Sequence, residues 1–145
     1  MSKSDVLEAA YLKLVFNGTA IANIADNTAT SPLTNIFVAL HTADPGETGT
    51  QSTSEATYTG YARVSVARTT GGWTVSGTSP TVCSPVAAIT FGACTAGTNT
   101  ITHFSVGSLT SGAGVIYYSG TVTPSISVSS GVTPQLTTAS TISED

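Results

Sequence analysis

Apolar and polar residues alternate along most of the chain, and a period of two predicts β-strands. From Asn35 onward, Ile36, Val38 and Leu40 fall on one side and Phe37, Ala39 and His41 on the other, so both faces of this strand should be at least half covered. The clearest alternation runs from Tyr58 to Arg68. There Ala62, Val64 and Val66 form the expected buried face, with Tyr61, Arg63, Ser65 and Ala67 on the wetter one. Gly71-Gly72 then turns into Trp73-Thr74-Val75, the expected hairpin partner of that strand. Further strands are predicted at Ala88–Phe91, Thr100–Val106, Val115–Val122, Ser125–Ser129 and Thr133–Leu136, with Pro134 marking a strand end.

Only the opening segment carries helix signals. Leu7, Ala10, Tyr11 and Leu14 recur at helical spacing, Asp5 and Glu8 are placed for a capping box, and Asn17-Gly18 supplies a left-handed stop. Residues 19 to 35, with Asn23, Asp26, Asn27, Ser31 and Pro32, read as a loop. A second, longer loop follows His41, opens with the Asp44-Pro45-Gly46 turn and runs to Thr57. Short strands about ten residues apart with Gly, Ser, Thr and Pro between them indicate an all-β fold. The expectation is an antiparallel, jelly-roll-like β-sandwich of about eight strands with a short N-terminal helix. The 145 residues suit one domain, with residues 1–18 as helix or docking arm and 34–136 as the sandwich.

Composition narrows what such a domain can do. Hydrophobic residues make up 40% of the chain and mean hydropathy is +0.23, which excludes a disordered chain. Charged residues are only 8%, against roughly a quarter in ordinary domains. A surface of hydroxyls and small side chains loses little hydration energy on contact, which suits a protein packed against neighbouring subunits. The formal charge is −4, and Lys3, Lys13, Arg63 and Arg68 are the only basic residues. No basic stripe can track a phosphate backbone, so nucleic acid is not an expected partner. No apolar run approaches the ~20 residues of a membrane span and no leader pattern opens the chain, so no membrane partner and synthesis in the cytoplasm are expected. In that compartment Cys83 and Cys94 are expected to stay free thiols.

Groups for catalysis are scarce. His41 and His103 both fall in predicted strands between apolar neighbours, where a hydrogen-bonded structural histidine is the favoured reading over a base. A triad of His41, Asp44 and a serine lacks a nucleophile elbow. The remaining carboxylates Asp26, Asp44, Glu47 and Glu55 all lie in predicted loops and match no EF-hand spacing. The chain is therefore expected to be no enzyme and to carry no cofactor or metal. Tyr61, Trp73, Phe91, Phe104 and Tyr117 sit within the strand pattern and are read as core aromatics.

The run Phe37-Val38-Ala39-Leu40-His41-Thr42-Ala43-Asp44-Pro45-Gly46-Glu47-Thr48-Gly49, then Tyr58-Thr59-Gly60-Tyr61-Ala62-Arg63-Val64 and Gly72-Trp73-Thr74-Val75-Ser76-Gly77, resembles a family of small proteins from the structural gene clusters of tailed bacteriophages. Ile101 to Gly107 and Tyr118-Ser119-Gly120 continue the likeness, which covers residues 34 to 122. The resemblance implies a virion location and transfers no catalytic residue. The preferred expectation is a capsid decoration or cement protein on the capsid surface, bound to the major capsid protein and to copies of itself as a homodimer or homotrimer. A tail or tail-fibre component is the alternative, and a glycan-binding tail module using Tyr58 and Tyr61 is a reading from another class. The expected partner contacts are Leu7, Tyr11 and Leu14 on the helix, and Asp44, Pro45, Glu47 and Tyr58 along the long loop.

Overall fold

A computed structural model describes residues 5–20 and 33–144, with side chains in the helix described from Glu8 onward. The predicted cap at Asp5, the contact at Leu7 and the loop residues 21–32 lie outside the described side chains. The fold is mostly β, antiparallel, with one short N-terminal helix, as the alternation predicts. Among the described residues the strands form sheets of four, three and two. The chain divides into two compact units, one drawn from Met1–Asn35, Ala67–Ala88 and Thr137–Asp145, the other from Ile36–Val66 and Ile89–Leu136.

In the first unit, α1 (Asp5–Asn17) packs on a sheet of β3 (Trp73–Ser76), β4 (Thr81–Pro85) and β9 (Ile142–Glu144). The helix stops where predicted. Gly18 takes a left-handed φ of 65°, which a side chain would oppose, and the Thr19 N–H turns back to the Lys13 carbonyl at 3.1 Å. Its buried stripe is not the predicted one: Glu8, Leu12 and Phe16 are buried, while Tyr11 is 42% exposed and Leu14 half-buried. The reason is Trp73, whose buried ring meets Phe16 edge to face at 4.9 Å, while its carbonyl accepts from Asn17 Nδ2 at 3.1 Å. Arg68 closes the C-terminal end of the helix. Its Nε donates to the Val15 carbonyl at 2.6 Å and Nη2 to that of Leu14, two groups that the helix itself leaves without partners.

β3 pairs antiparallel with β4, from Trp73 opposite Pro85 to Ser76 opposite Val82, and β4 pairs with β9. The expected pairing of Trp73–Val75 with the preceding strand is therefore corrected. The Gly72 and Trp73 N–H groups both bond to the Thr69 carbonyl at 3.0 Å, which swings the chain away before β3 begins. Cys83, buried on β4, is a free thiol whose pKa is pushed up to about 12 by burial.

The second unit holds the four-stranded sheet in the order β2 (Val64–Ala67), β1 (Asn35–His41), β6 (Asn99–Gly107), β7 (Ile116–Val128). β1 and β6 run antiparallel with His41 opposite His103, and every β1 residue is at least half-buried, as its two apolar faces foretold. The strands predicted at Val115–Val122 and Ser125–Ser129 are one strand, β7. Its pairing with β6 jumps from Thr121 opposite His103 to Ile126 opposite Ile101, so residues 122–125, including Pro124, bulge out of the ladder. A two-stranded sheet of β5 (Ile89–Thr90) and β8 (Gln135–Leu136) completes the unit. Its core includes Ile36, Val38, Leu40, Tyr58, Phe91, Ile101 and Val106. Of the aromatics expected inside, Trp73 and Phe91 are buried, Tyr61 and Phe104 are half-buried, and Tyr117 is corrected to the surface at 40% exposure.

Candidate functional site

The long loop after β1 is closed at its neck. Thr42 N–H donates to the Ser54 carbonyl at 2.8 Å and Ala56 N–H to that of Leu40 at 2.9 Å, so the chain returns beside the strand it left. His41 holds the neck from within. It is fully buried, with Nδ1 2.8 Å from the Thr53 carbonyl and Nε2 2.8 Å from Ser105 Oγ. Because a carbonyl can only accept, Nδ1 carries the proton of the neutral ring and Nε2 accepts from the serine hydroxyl. Burial lowers its pKa; the Thr53 carbonyl and the Glu55 charge oppose that without reversing it. A ring bonded on both nitrogens and sealed from solvent is a structural histidine.

Arg63 ties this loop to the β6–β7 turn. Its side chain is almost wholly buried and meets Glu55 side-on, with Nε 2.6 Å from Oε1 and Nη2 2.8 Å from Oε2. The other guanidinium hydrogens reach the carbonyls of Leu109 at 2.9 Å and Gly112 at 2.7 Å. Tyr61 Oη donates to the same Glu55 oxygen at 3.0 Å and accepts from Leu40 N–H at 3.1 Å. Burial raises the Tyr61 phenol well above its ordinary value. Gln51, fully buried, adds a second tie: Nε2 donates to the Phe37 carbonyl at 3.0 Å, and Oε1 accepts from Leu109 N–H at 3.1 Å. The glutamine lies so close that a Cβ on Gly114 would sit 2.3 Å from its Oε1, and one on Gly107 2.3 Å from its Cδ.

These ties decide what the expected contact residues can do. Asp44 and Glu47 are exposed at the loop tip, where Asp44 Oδ1 accepts from Gly46 N–H at 2.9 Å and makes the turn. Pro45 is buried, which corrects its expected contact role. Tyr58 is corrected too. It is 3% exposed, its hydroxyl donates to the Gly92 carbonyl at 3.0 Å, and its ring packs edge to face on Tyr61 at 5.5 Å. Tyr58 is thus inside, while Tyr61 is half-buried with its hydroxyl engaged on both sides. Tyr11 is on the outer side of α1, while the Leu14 carbonyl serves the Arg68 cap.

Among the described residues, no group of three His, Cys, Asp or Glu side chains is placed to hold a metal ion, and no helix is long and apolar enough to cross a membrane. Alternation alone put Arg63 on the wet face and left Gln51 and Glu55 in an unstructured loop. The available signal was an arginine in a charge-poor chain with its nearest acid, Glu55, a short way upstream in the family-like stretch. The arrangement is thus a tied frame that presents an exposed acidic tip.

No curated protein matches the chain. The family described as podophage GP4 fiber I protein gp80 matches residues 2–143, nearly the full length, and the chain belongs to this family of phage virion structural proteins.

Proposed function

We propose that the chain is a building block of the phage fibre, acting through protein contacts and not through catalysis. The observation that carries the reading is the family match across residues 2–143, whose description names a fibre. It favours the fibre over the capsid surface that the sequence resemblance alone had put first. The geometry supports a structural role. His41, Tyr61, Glu55 and Arg63, the groups with most chemical potential, are spent on holding the 42–57 loop in one shape. Rigid loops lose little conformational freedom on contact, and an exterior poor in charge sheds its water cheaply.

Immunogold labelling of intact particles with an antibody to the chain tests this, together with its copy number relative to the major capsid protein. Label on the tail or fibres at a small fraction of the capsid count is expected. Label spread over the head in near-stoichiometric copies would make the chain a decoration protein, and absence from particles would defeat both.

A further inference from the structure

A histidine sealed from water with both ring nitrogens bonded cannot take a second proton without rearranging its neighbours. His41 donates through Nδ1 to the Thr53 carbonyl and accepts at Nε2 from the Ser105 hydroxyl, and both side chains are fully buried. A proton on Nε2 turns that acceptor into a donor. The hydroxyl must then turn round, and its own hydrogen loses the ring as acceptor. The charged and titratable groups around the ring offer the new charge no uncommitted partner. Glu55, which bridges to His41 from the loop, is already bonded by Arg63 and by Tyr61. Arg63 is a cation, and His103 of β6, opposite His41 in the ladder, can become one. β2, on the other side of β1, brings no ionisable side chain. Water lies close on the loop side, where Thr53 and Ser54 are exposed. This limb is also strained: Ser54 has a φ of 52°, a left-handed backbone that its Cβ opposes.

We propose that the neck of the loop is a proton-released latch, in which charging His41 makes residues 52–54 swing out to solvent between anchors at Gln51 and Glu55 while the sheet beneath stays paired. The anchors are set by the ties that do not involve the ring. Gln51 is held by its N–H on the Gly114 carbonyl and its side chain on Phe37, and Glu55 by Arg63. Between them the limb depends on His41 and on the bonds from Thr42 to the Ser54 carbonyl. Swinging out hydrates the charged ring and relaxes Ser54. It also leaves the Thr42 N–H without its partner, and Thr42 leads into the crown with Asp44 and Glu47, so the pose of the acidic tip becomes a function of pH.

The test is amide hydrogen exchange of the purified full chain by NMR, corrected for the intrinsic pH dependence of exchange, and it reads independently of where the protein sits in the particle. Between pH 6.5 and about 5, above the ordinary carboxylate range, the Thr42 amide should lose protection by up to about tenfold per pH unit. The Ala56 amide, which bonds to Leu40 beyond the Glu55 anchor, should stay at least about tenfold better protected throughout. His41→Gln should abolish the pH dependence at Thr42, and His103→Gln should keep it. If His41→Gln fails to fold, Ser54→Gly takes its place: without the strained Cβ the closed limb gains, and Thr42 protection should rise about threefold or more at every pH. A Thr42 amide whose protection ignores pH or equals that of Ala56, a folded His41→Gln that keeps the dependence, a His103→Gln that loses it, or a Ser54→Gly that changes nothing would overturn the proposal.

Discussion

Arg63 grips Glu55 through two parallel hydrogen bonds of 2.6 and 2.8 Å, and the same guanidinium reaches the carbonyls of Leu109 and Gly112. One side chain thereby joins the loop after β1 to the turn between β6 and β7. Buried ion pairs add little over a well-packed apolar substitute, but losing one partner strands the other away from water.

Glu55→Ala should therefore cost about 3–5 kcal/mol in urea unfolding, since it leaves the guanidinium buried without its counter-ion. Arg63→Lys should not rescue the clamp, because a single ammonium cannot serve a carboxylate and two separate carbonyls at once. A Glu55→Ala protein as stable as the wild type would show that the pair is incidental.

The Gln51 side chain and Gly114 should prove strongly coupled. Gly114→Ala forces a methyl group to within 2.3 Å of Gln51 Oε1 and is expected to cost about 1–3 kcal/mol. Removing that amide first, with Gln51→Ala, should make the glycine change far cheaper. A double-mutant cycle giving additive effects would contradict the contact.

Phe16→Ala should destabilise the first unit by about 3–5 kcal/mol through the hole left against Trp73. Trp73 is the sole tryptophan of the chain, so its fluorescence reports this unit directly. Truncation of residues 1–18 should expose the ring and red-shift its emission. Unchanged emission after truncation would mean that α1 is a detachable arm.

His41 gives a sign to the pH dependence. Burial keeps its native pKa below the ordinary 6.5, so as pH falls through 6.5 the unfolded chain takes up a proton that the folded one refuses. Stability should decline with falling pH below 6.5, by up to about 1.4 kcal/mol per pH unit, until the native ring itself titrates. His41→Gln should remove that component and flatten the difference. A wild-type curve that instead rises on acidification through this range would place the charged ring in the fold.

Periodicity made β1 and β6 legible because their side chains are covered on both faces or alternate cleanly. It hid β4, since Thr81-Val82-Cys83-Ser84-Pro85 starts beside Pro80 and ends on a proline, and so reads as a connection. At residues 61–63 it gave the wrong parity: Ala62 is exposed and Arg63 buried. An arginine is interior only if carboxylate and carbonyl partners arrive from elsewhere, and here they come from residues 55, 109 and 112. Spacing hints at Glu55 as the nearest acid but carries no trace of the two carbonyls. On α1, four apolar residues competed with Leu12 and Phe16, and only the position of Trp73 decides which stripe turns inward. The exposed Asp44 and Glu47 were legible because a Pro-Gly turn flanked by polar residues has nowhere else to go.

The latch between Thr42 and Ser54 has an evolutionary corollary. A hoop fastened at its base can be re-lettered at its crown without loosening the scaffold beneath, because lengthening such a hoop twofold costs only about 0.6 kcal/mol. The exposed positions 47 and 48 can therefore be exchanged, while Asp44, which accepts from the Gly46 N–H, and Gly46, at a left-handed φ of 69°, keep the crown's bend.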